Sequence, residues 1–121
     1  MRLTDNEWQV LGALWAAKDG VTLGQAVEAL RPATGWSRNT VLTYLTRMAA
    51  KGLVSIDKAA APHRYRAAAE RRDCAAQERR SLVERVYEGS AGKFIAAFLR
   101  EEPLSHQERE ELRRLLDEME V

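Results

Sequence analysis

The 121-residue sequence predicts a mainly α-helical protein with a small β-hairpin. Three observations predict it: three helical patterns with their own start and stop signals come first, two short strand-like segments follow, and the pattern after Ala69 is wholly helical. We therefore expect an N-terminal winged helix-turn-helix domain at residues 1–69. Residues 70–121 are expected to form a C-terminal three-helix dimerisation region.

The first helix is predicted between Thr4 and Lys18. Thr4 and Glu7 have the spacing of a capping box, and Asp19-Gly20 is a turn signal beyond which the helix is not expected to continue. Large apolar residues recur at helical spacing between these points: Trp8, Leu11, Leu14 and Trp15. A role in the protein core is favoured for them over a ligand pocket.

A second helix is predicted after Thr22, which forms a capping pattern with Gln25. We expect this helix to be only about two turns long and to end at Arg31-Pro32, because proline cannot continue a helix without losing a hydrogen bond. Residues 33–35 are then expected to connect it to the third helix.

The third helix has both ends specified. Ser37 is a candidate N-cap, and Lys51 followed by Gly52 places a cation in the last turn and a glycine just beyond it. The residues expected to be buried are Val41, Leu45 and Met48, with Tyr44 beside them.

A two-stranded hairpin is predicted after the third helix. Residues 53–58 alternate in polarity after an apolar start, and residues 63–66 place Tyr65 between polar neighbours. Residues 59–62 would form the exposed tip, although alanines give only a weak turn signal.

Positive charge is concentrated in the predicted winged helix. The whole chain has 19 Lys+Arg and 18 Asp+Glu, but residues 1–69 carry 9 basic and 5 acidic side chains. Between Arg31 and Arg66 seven basic residues are opposed by Asp57 alone. This distribution is typical of a surface that faces a polyanion, and a basic face that is merely solvated is the alternative.

The third helix has the features of a DNA-reading helix. Its outward face carries short polar and basic side chains, which suit the major groove, and the hairpin adds cations that suit phosphates or the minor groove. The residues predicted to contact DNA are, on and before the helix, Ser37, Arg38, Asn39, Thr40, Leu42, Thr43, Thr46 and Arg47, and, on the wing, Lys58, His63, Arg64 and Arg66.

The region after residue 69 is predicted to hold two copies of the chain together. Its helices carry narrow apolar stripes that are too few for a separate core, so they need a surface to cover. A second copy is favoured over folding back onto the winged helix. The residues predicted for dimerisation are Leu82, Val83, Val86, Tyr87, Phe94, Ile95, Phe98, Leu99, Leu112, Leu115, Leu116 and Met119.

Several function classes are disfavoured by the sequence. It has no apolar run long enough to span a membrane and no secretion signal, so we expect a cytoplasmic protein that does not insert into membranes. One cysteine, Cys74, and two histidines are too few for a closed zinc site, and no catalytic motif is present. We expect no cofactor, no metal and no enzymatic activity, and Cys74 is favoured as a small filler residue over a sensor thiol.

Four parts of the sequence together resemble a known family. Residues 3–11, 37–48 and 51–54, with Tyr65 in the wing, are similar to the penicillinase, methicillin-resistance and copper-responsive repressors of the BlaI/MecI/CopY family. The resemblance implies a homodimeric repressor that binds a palindromic DNA operator. It assigns recognition roles to Thr40, Thr43 and Arg47.

The resemblance also implies a route of release from DNA. The copper branch ends in a Cys-rich metal motif that this chain lacks. In the antibiotic branch a membrane-bound sensor protease triggers cleavage at an Asn-Phe bond, which corresponds here to Ala97-Phe98. Two other classes remain open: a helical protein–protein interaction module, and a winged-helix regulator that responds to a small molecule.

Overall fold

Six helices and two strands make up residues 2–119, which are the residues that the computed structural model describes. In chain order they are α1 (Asp5–Trp15), α2 (Leu23–Thr34), α3 (Arg38–Ala50), β1 (Val54–Asp57), β2 (Arg64–Ala67), α4 (Arg71–Val86), α5 (Ala91–Glu101) and α6 (His106–Glu118). The predicted fold class is confirmed: the chain is mainly helical, with three helices and a hairpin followed by three helices.

Contacts divide the chain into two units, one ending at Arg79 and the other beginning at Arg80. The division lies within α4 because Cys74, in the first half of that helix, belongs to the core of the first unit. The predicted boundary between residues 69 and 70 follows a change in sequence pattern, and it stays a prediction about functional domains.

The core of the first unit is built around α3. Val41, Leu45 and Met48 have no exposed surface, and they pack with Val10 and Leu11 of α1, which are equally buried. Burying an aliphatic side chain of this size contributes about 1.5–3 kcal/mol, so this cluster is a main source of the domain's stability.

The predicted start of α1 is confirmed, since Thr4 and Glu7 form both hydrogen bonds of a capping box. The helix is shorter than expected and ends at Trp15 rather than near Lys18. Gly20 follows with φ +85°, and a Cβ atom there would lie 2.9 Å from the Arg66 side chain and 3.2 Å from the Tyr65 carbonyl oxygen. Both the backbone angle and the close approach require glycine.

The prediction of a short second helix is wrong. Helix α2 has 12 residues, and Pro32, Ala33 and Thr34 lie inside it. The helix continues past Pro32, which has no amide hydrogen to donate. Its end is closed by the Thr34 hydroxyl, which donates to the Leu30 carbonyl at 2.7 Å, and by the Gly35 N–H, which donates to the Arg31 carbonyl at 2.9 Å. Gly35 adopts the left-handed conformation and ends the helix.

The hairpin is confirmed as an antiparallel pair, with Ile56 opposite Tyr65 and Asp57 opposite Arg64. Tyr65 also exchanges two backbone hydrogen bonds with Val21, of 2.7 and 2.9 Å. The wing is therefore tied to the segment between α1 and α2. At the tip, the Asp57 carboxylate accepts the amides of Ala59 and Ala60, which orders a turn that the alanines do not specify.

The second unit contains the end of α4, together with α5 and α6. Ser90 caps α5, and Ser105 forms a capping box with Glu108 at the start of α6. The aromatic ring of Phe94 contacts the rings of Tyr87 and Phe98, with centroid distances of 5.2 and 6.3 Å, respectively. No residue described in α5 or α6 is buried. None of the helices described is long and apolar enough to cross a membrane.

Candidate nucleic-acid interface

Helix α3 is held at both ends by the groups that the sequence predicts. The Ser37 hydroxyl accepts the Thr40 amide at 3.2 Å, and Gly52 ends the helix with φ +81°. Just before the helix, the Trp36 ring stacks on Tyr44 with centroids 4.7 Å apart. These contacts fix where the helix begins and ends.

The structure places the predicted contact residues of α3 together on one exposed side. The burial of Val41, Leu45 and Met48 fixes the rotation of the helix about its axis, and the opposite side faces solvent. Thr40 is half-buried, and the remaining residues of the predicted set are exposed: Ser37, Arg38, Asn39, Leu42, Thr43, Thr46 and Arg47.

The longer polar side chains of this face are available to a ligand. Within residues 2–119 the side chains of Arg38, Asn39 and Arg47 make no hydrogen bond or ion pair, whereas the Thr43 hydroxyl donates to the Asn39 carbonyl at 2.9 Å. Arginine can bind guanine and asparagine can bind adenine through two hydrogen bonds each. Leu42 is 38% exposed and offers an apolar contact of the kind that a thymine methyl accepts.

The wing residues differ in their surroundings. Lys58, His63 and Arg66 are exposed, so their charged or polar groups face solvent. Arg64 is half-buried, and its guanidinium donates to the Gly20 carbonyl at 2.8 Å. Part of the Arg64 guanidinium therefore holds the wing to the α1–α2 connection, a role that its position in the sequence does not reveal.

Two side-chain contacts between α1 and α3 were missed by sequence reasoning. Glu7 is only 4% exposed, and its carboxylate accepts the Thr4 amide at 2.9 Å and the Lys51 ammonium at 2.8 Å. Asn6 donates to the Tyr44 hydroxyl at 2.7 Å. Glu7 and Lys51 are recognisable in the sequence as cap residues, but no local signal pairs residues so far apart.

The surroundings of Glu7 lower the pKa of its carboxyl. Burial raises the pKa, but the hydrogen bonds from Lys51 and Thr4, together with the Lys51 charge, lower it by more, and the net pKa lies below the usual 4.5. The ionised carboxylate is therefore the form that the folded protein favours. Its pairing with Lys51 joins the start of α1 to the end of α3.

The thiol of Cys74 is buried in the core of the first unit. Burial raises the pKa of its thiol, and the neighbouring Asp73 charge raises it further, so the reactive thiolate is disfavoured. Among the residues described, no three His, Cys, Asp or Glu side chains are grouped to hold a metal ion.

Comparison with known proteins relates nearly the whole chain to one protein family. Residues 3–118 match a family model described as "Penicillinase repressor". The methicillin resistance regulatory protein MecI of Staphylococcus aureus strain N315 is 27% identical over 115 residues, covering 95% of this chain and 93% of MecI. The penicillinase repressor of Bacillus licheniformis is 25% identical over 117 residues, covering 97% of this chain and 91% of that protein.

A solved structure also aligns with most of the chain. It is that of Bordetella bronchiseptica BpsR, described in a study of how 6-hydroxynicotinic acid regulates DNA binding by BpsR. Its sequence is 22% identical, the alignment covers 98% of this chain and 80% of BpsR, and the TM-score is 0.45.

The Glu7–Lys51 pair predicts how stability depends on pH. Because the pKa of Glu7 is lowered on folding, its contribution is complete above the unfolded value of 4.5 and is lost as the pH falls through the folded value. Glu7→Gln should reduce the free energy of unfolding by about 1–3 kcal/mol at neutral pH and by progressively less towards about pH 3. Urea unfolding at matched protein concentration measures this difference.

The control for this test is Glu84→Gln, which changes an exposed carboxylate for which no ion pair is found in residues 2–119. Its unfolding free energy should follow that of the unmodified chain at every pH. A constant difference between Glu7→Gln and the unmodified chain from neutral to acidic pH would contradict the assigned role of the pair.

Proposed function

The chain belongs to the penicillinase repressor family of DNA-binding transcriptional repressors, and from that premise we propose that it represses transcription as a homodimer bound to a palindromic operator. Each protomer would insert α3 into the major groove of double-stranded DNA, and the wing would contact the backbone beside it. The protein would act in the cytoplasm, with neither a cofactor nor an enzymatic activity of its own.

The exposed side of α3 is the observation that carries this proposal. Arg38 and Asn39 stand in the first turn of the helix, where recognition helices reach base edges, and Arg47 stands farther along, where such helices meet phosphates. All three are exposed, and within residues 2–119 none is engaged by another side chain. The exposed Leu42 on the same face disfavours the alternative of a basic face that contacts only solvent.

The wing supports the same role. Lys58, His63 and Arg66 add exposed groups that suit phosphates, and their contacts would contribute affinity more than sequence preference. Arg64 remains among the residues proposed to contact DNA. Its guanidinium donates to the Gly20 carbonyl, but the residue is only half-buried and still reaches solvent.

The apolar surface of the second unit supports the homodimer. Val86, Ile95, Phe98, Leu99, Leu115, Leu116 and Met119 are between 41% and 67% exposed in the single chain. Leu82, Val83, Tyr87, Phe94 and Leu112 are half-buried beside them. So many large apolar side chains on adjoining helices are typical of a protein–protein interface. A two-fold pair would present two α3 helices about one DNA turn, roughly 34 Å, apart.

The two other classes make different predictions. A helical interaction module would bind proteins through the winged domain and would have no DNA affinity. A regulator whose primary ligand is a small molecule would change its DNA affinity when that ligand is added. The repressor is favoured because the unengaged cations and the Asn39 amide share one convex helix face, which suits a groove.

Substitutions on α3 test the DNA contact. Arg38→Ala and Arg47→Ala should each weaken binding to a duplex selected from the source genome by about 1–3 kcal/mol, because each removes a charged contact, while leaving the thermal midpoint unchanged. Binding should also weaken steeply between low and physiological salt. Fluorescence anisotropy measures both effects.

Arg113→Ala on α6 is the control for DNA binding, since it removes an exposed arginine far along the chain from the proposed face. Unchanged affinity in both α3 variants, or binding that does not respond to salt, would contradict the proposed interface.

A charge on the apolar surface of α6 tests the dimer. The unmodified chain should sediment at about twice its monomer mass of 13.7 kDa. Leu116→Glu should produce monomers, because a carboxylate buried at an interface without a partner is costly. Gln107→Glu, an exposed position outside the apolar stripe, should leave the dimer intact. A monomeric unmodified chain at micromolar concentration would rule the dimer out.

Release from DNA by proteolysis is the last part of the proposal. The bond between Ala97 and Phe98 lies in α5, where Phe98 is 47% exposed. No described residue of this helix is buried in the single chain. Because the proposed dimer interface would cover Phe98, cleavage there requires that interface to open locally. Incubation with membranes that contain a cognate sensor protease should yield a fragment ending at Ala97, detected by mass spectrometry. A chain that stays intact under induction would contradict this route.

A further inference from the structure

A cavity of about 550 Å³ lies within the first unit beside the end of α1. None of its lining residues belongs to the exposed face of α3 or to the residues proposed for dimerisation, although Arg66 is also part of the proposed wing contact. Leu14 and Trp15 come from α1, Ala67 from β2 and Arg71 from the start of α4. Cavities of about 300–1,000 Å³ are typical of small-molecule sites.

The floor of this cavity is apolar and its aromatic ring is held in place. Leu14 is buried, and Trp15 is half-buried beside it. The indole N–H of Trp15 donates to the Ala69 carbonyl at 2.9 Å, and the Arg71 guanidinium lies 4.9 Å from the centre of the ring. The ring is therefore oriented before any ligand arrives, which reduces the entropy lost on binding.

The rim of the cavity carries unbalanced positive charge. Lys18, Arg66 and Arg71 line it, and Glu70 is the acidic side chain among its lining residues. In the described part of the chain none of the three cations forms an ion pair. Three cations around one cavity repel each other, and a bound anion would relieve that repulsion.

We propose that this cavity binds a small organic anion. The anionic group, a carboxylate or a phosphate, lies among Lys18, Arg66 and Arg71, and a flat apolar body lies against Trp15. The apolar floor favours this occupant over a DNA phosphate alone, because a backbone phosphate has no apolar group that would pack on Leu14 or on the oriented indole ring of Trp15. The inference does not depend on the proposed DNA contact of α3.

Binding of 2-naphthoate to the full chain tests the proposal. The readout is the indole N–H signal of Trp15 in ¹H–¹⁵N NMR spectra, assigned by its absence in Trp15→Phe, with the Trp36 signal as an internal reference. We expect a saturable shift of the Trp15 signal. Lys18→Gln and Arg71→Gln should each weaken the apparent affinity by roughly three- to fivefold, as expected for the loss of one partly exposed charge contact.

Arg72→Gln is the matched control, because Arg72 is an exposed neighbour of Arg71 in α4 that does not line the cavity. Its affinity for 2-naphthoate should be unchanged. Neutral 2-naphthamide and small acetate should each bind at least about tenfold more weakly than 2-naphthoate, because each lacks one of the two contacts.

Three results would overturn the proposal. The first is the absence of a saturable Trp15 shift with 2-naphthoate. The second is binding of acetate as strong as that of 2-naphthoate, which would indicate a nonspecific anion site. The third is binding of neutral 2-naphthamide as strong as that of 2-naphthoate, which would show that the cations hold no anionic group. In the first case, a Trp15 signal that responds to short duplex DNA would assign the cations to the nucleic-acid backbone.

Discussion

The complete burial of one side of α3 determines which of its residues face solvent. Val41, Leu45 and Met48 have no exposed surface, so α3 cannot rotate about its axis without opening the core. Arg38 and Asn39 face solvent as a direct consequence. The ion pair of Glu7 with Lys51 strengthens the same attachment, because it joins the first turn of α1 to the end of α3.

Sequence reasoning succeeded where the signal was local and failed where it was not. The caps at Thr4 and Ser37 follow from patterns spanning four residues, and both form as expected. The expected end of α2 is wrong because Pro32 removes one amide donor without ending the helix, and the bonds from Thr34 and Gly35 form beyond it. The exposed side of α3 was predictable from periodicity alone. The Glu7–Lys51 contact was not, because 44 residues separate its partners.

The two units reach stability in different ways. The first unit buries residues from α1, α2, α3, the hairpin and Cys74 of α4 in one core. The second has no buried residue in α5 or α6 within the described chain, and its large apolar side chains are exposed. In the proposed homodimer a second copy covers that surface, and the two-fold symmetry of the pair matches the symmetry of a palindromic DNA site.

The guanidinium signals of Arg38 and Arg47, followed by NMR as a selected duplex is added, report whether the exposed side of α3 binds DNA. If the exposed side of α3 enters the groove, the Nε–Hε signals of both residues should shift and exchange more slowly with water, while that of Arg113 stays unchanged. Saturated DNA binding with the Arg38 and Arg47 signals unmoved would show that α3 is not the helix that enters the groove.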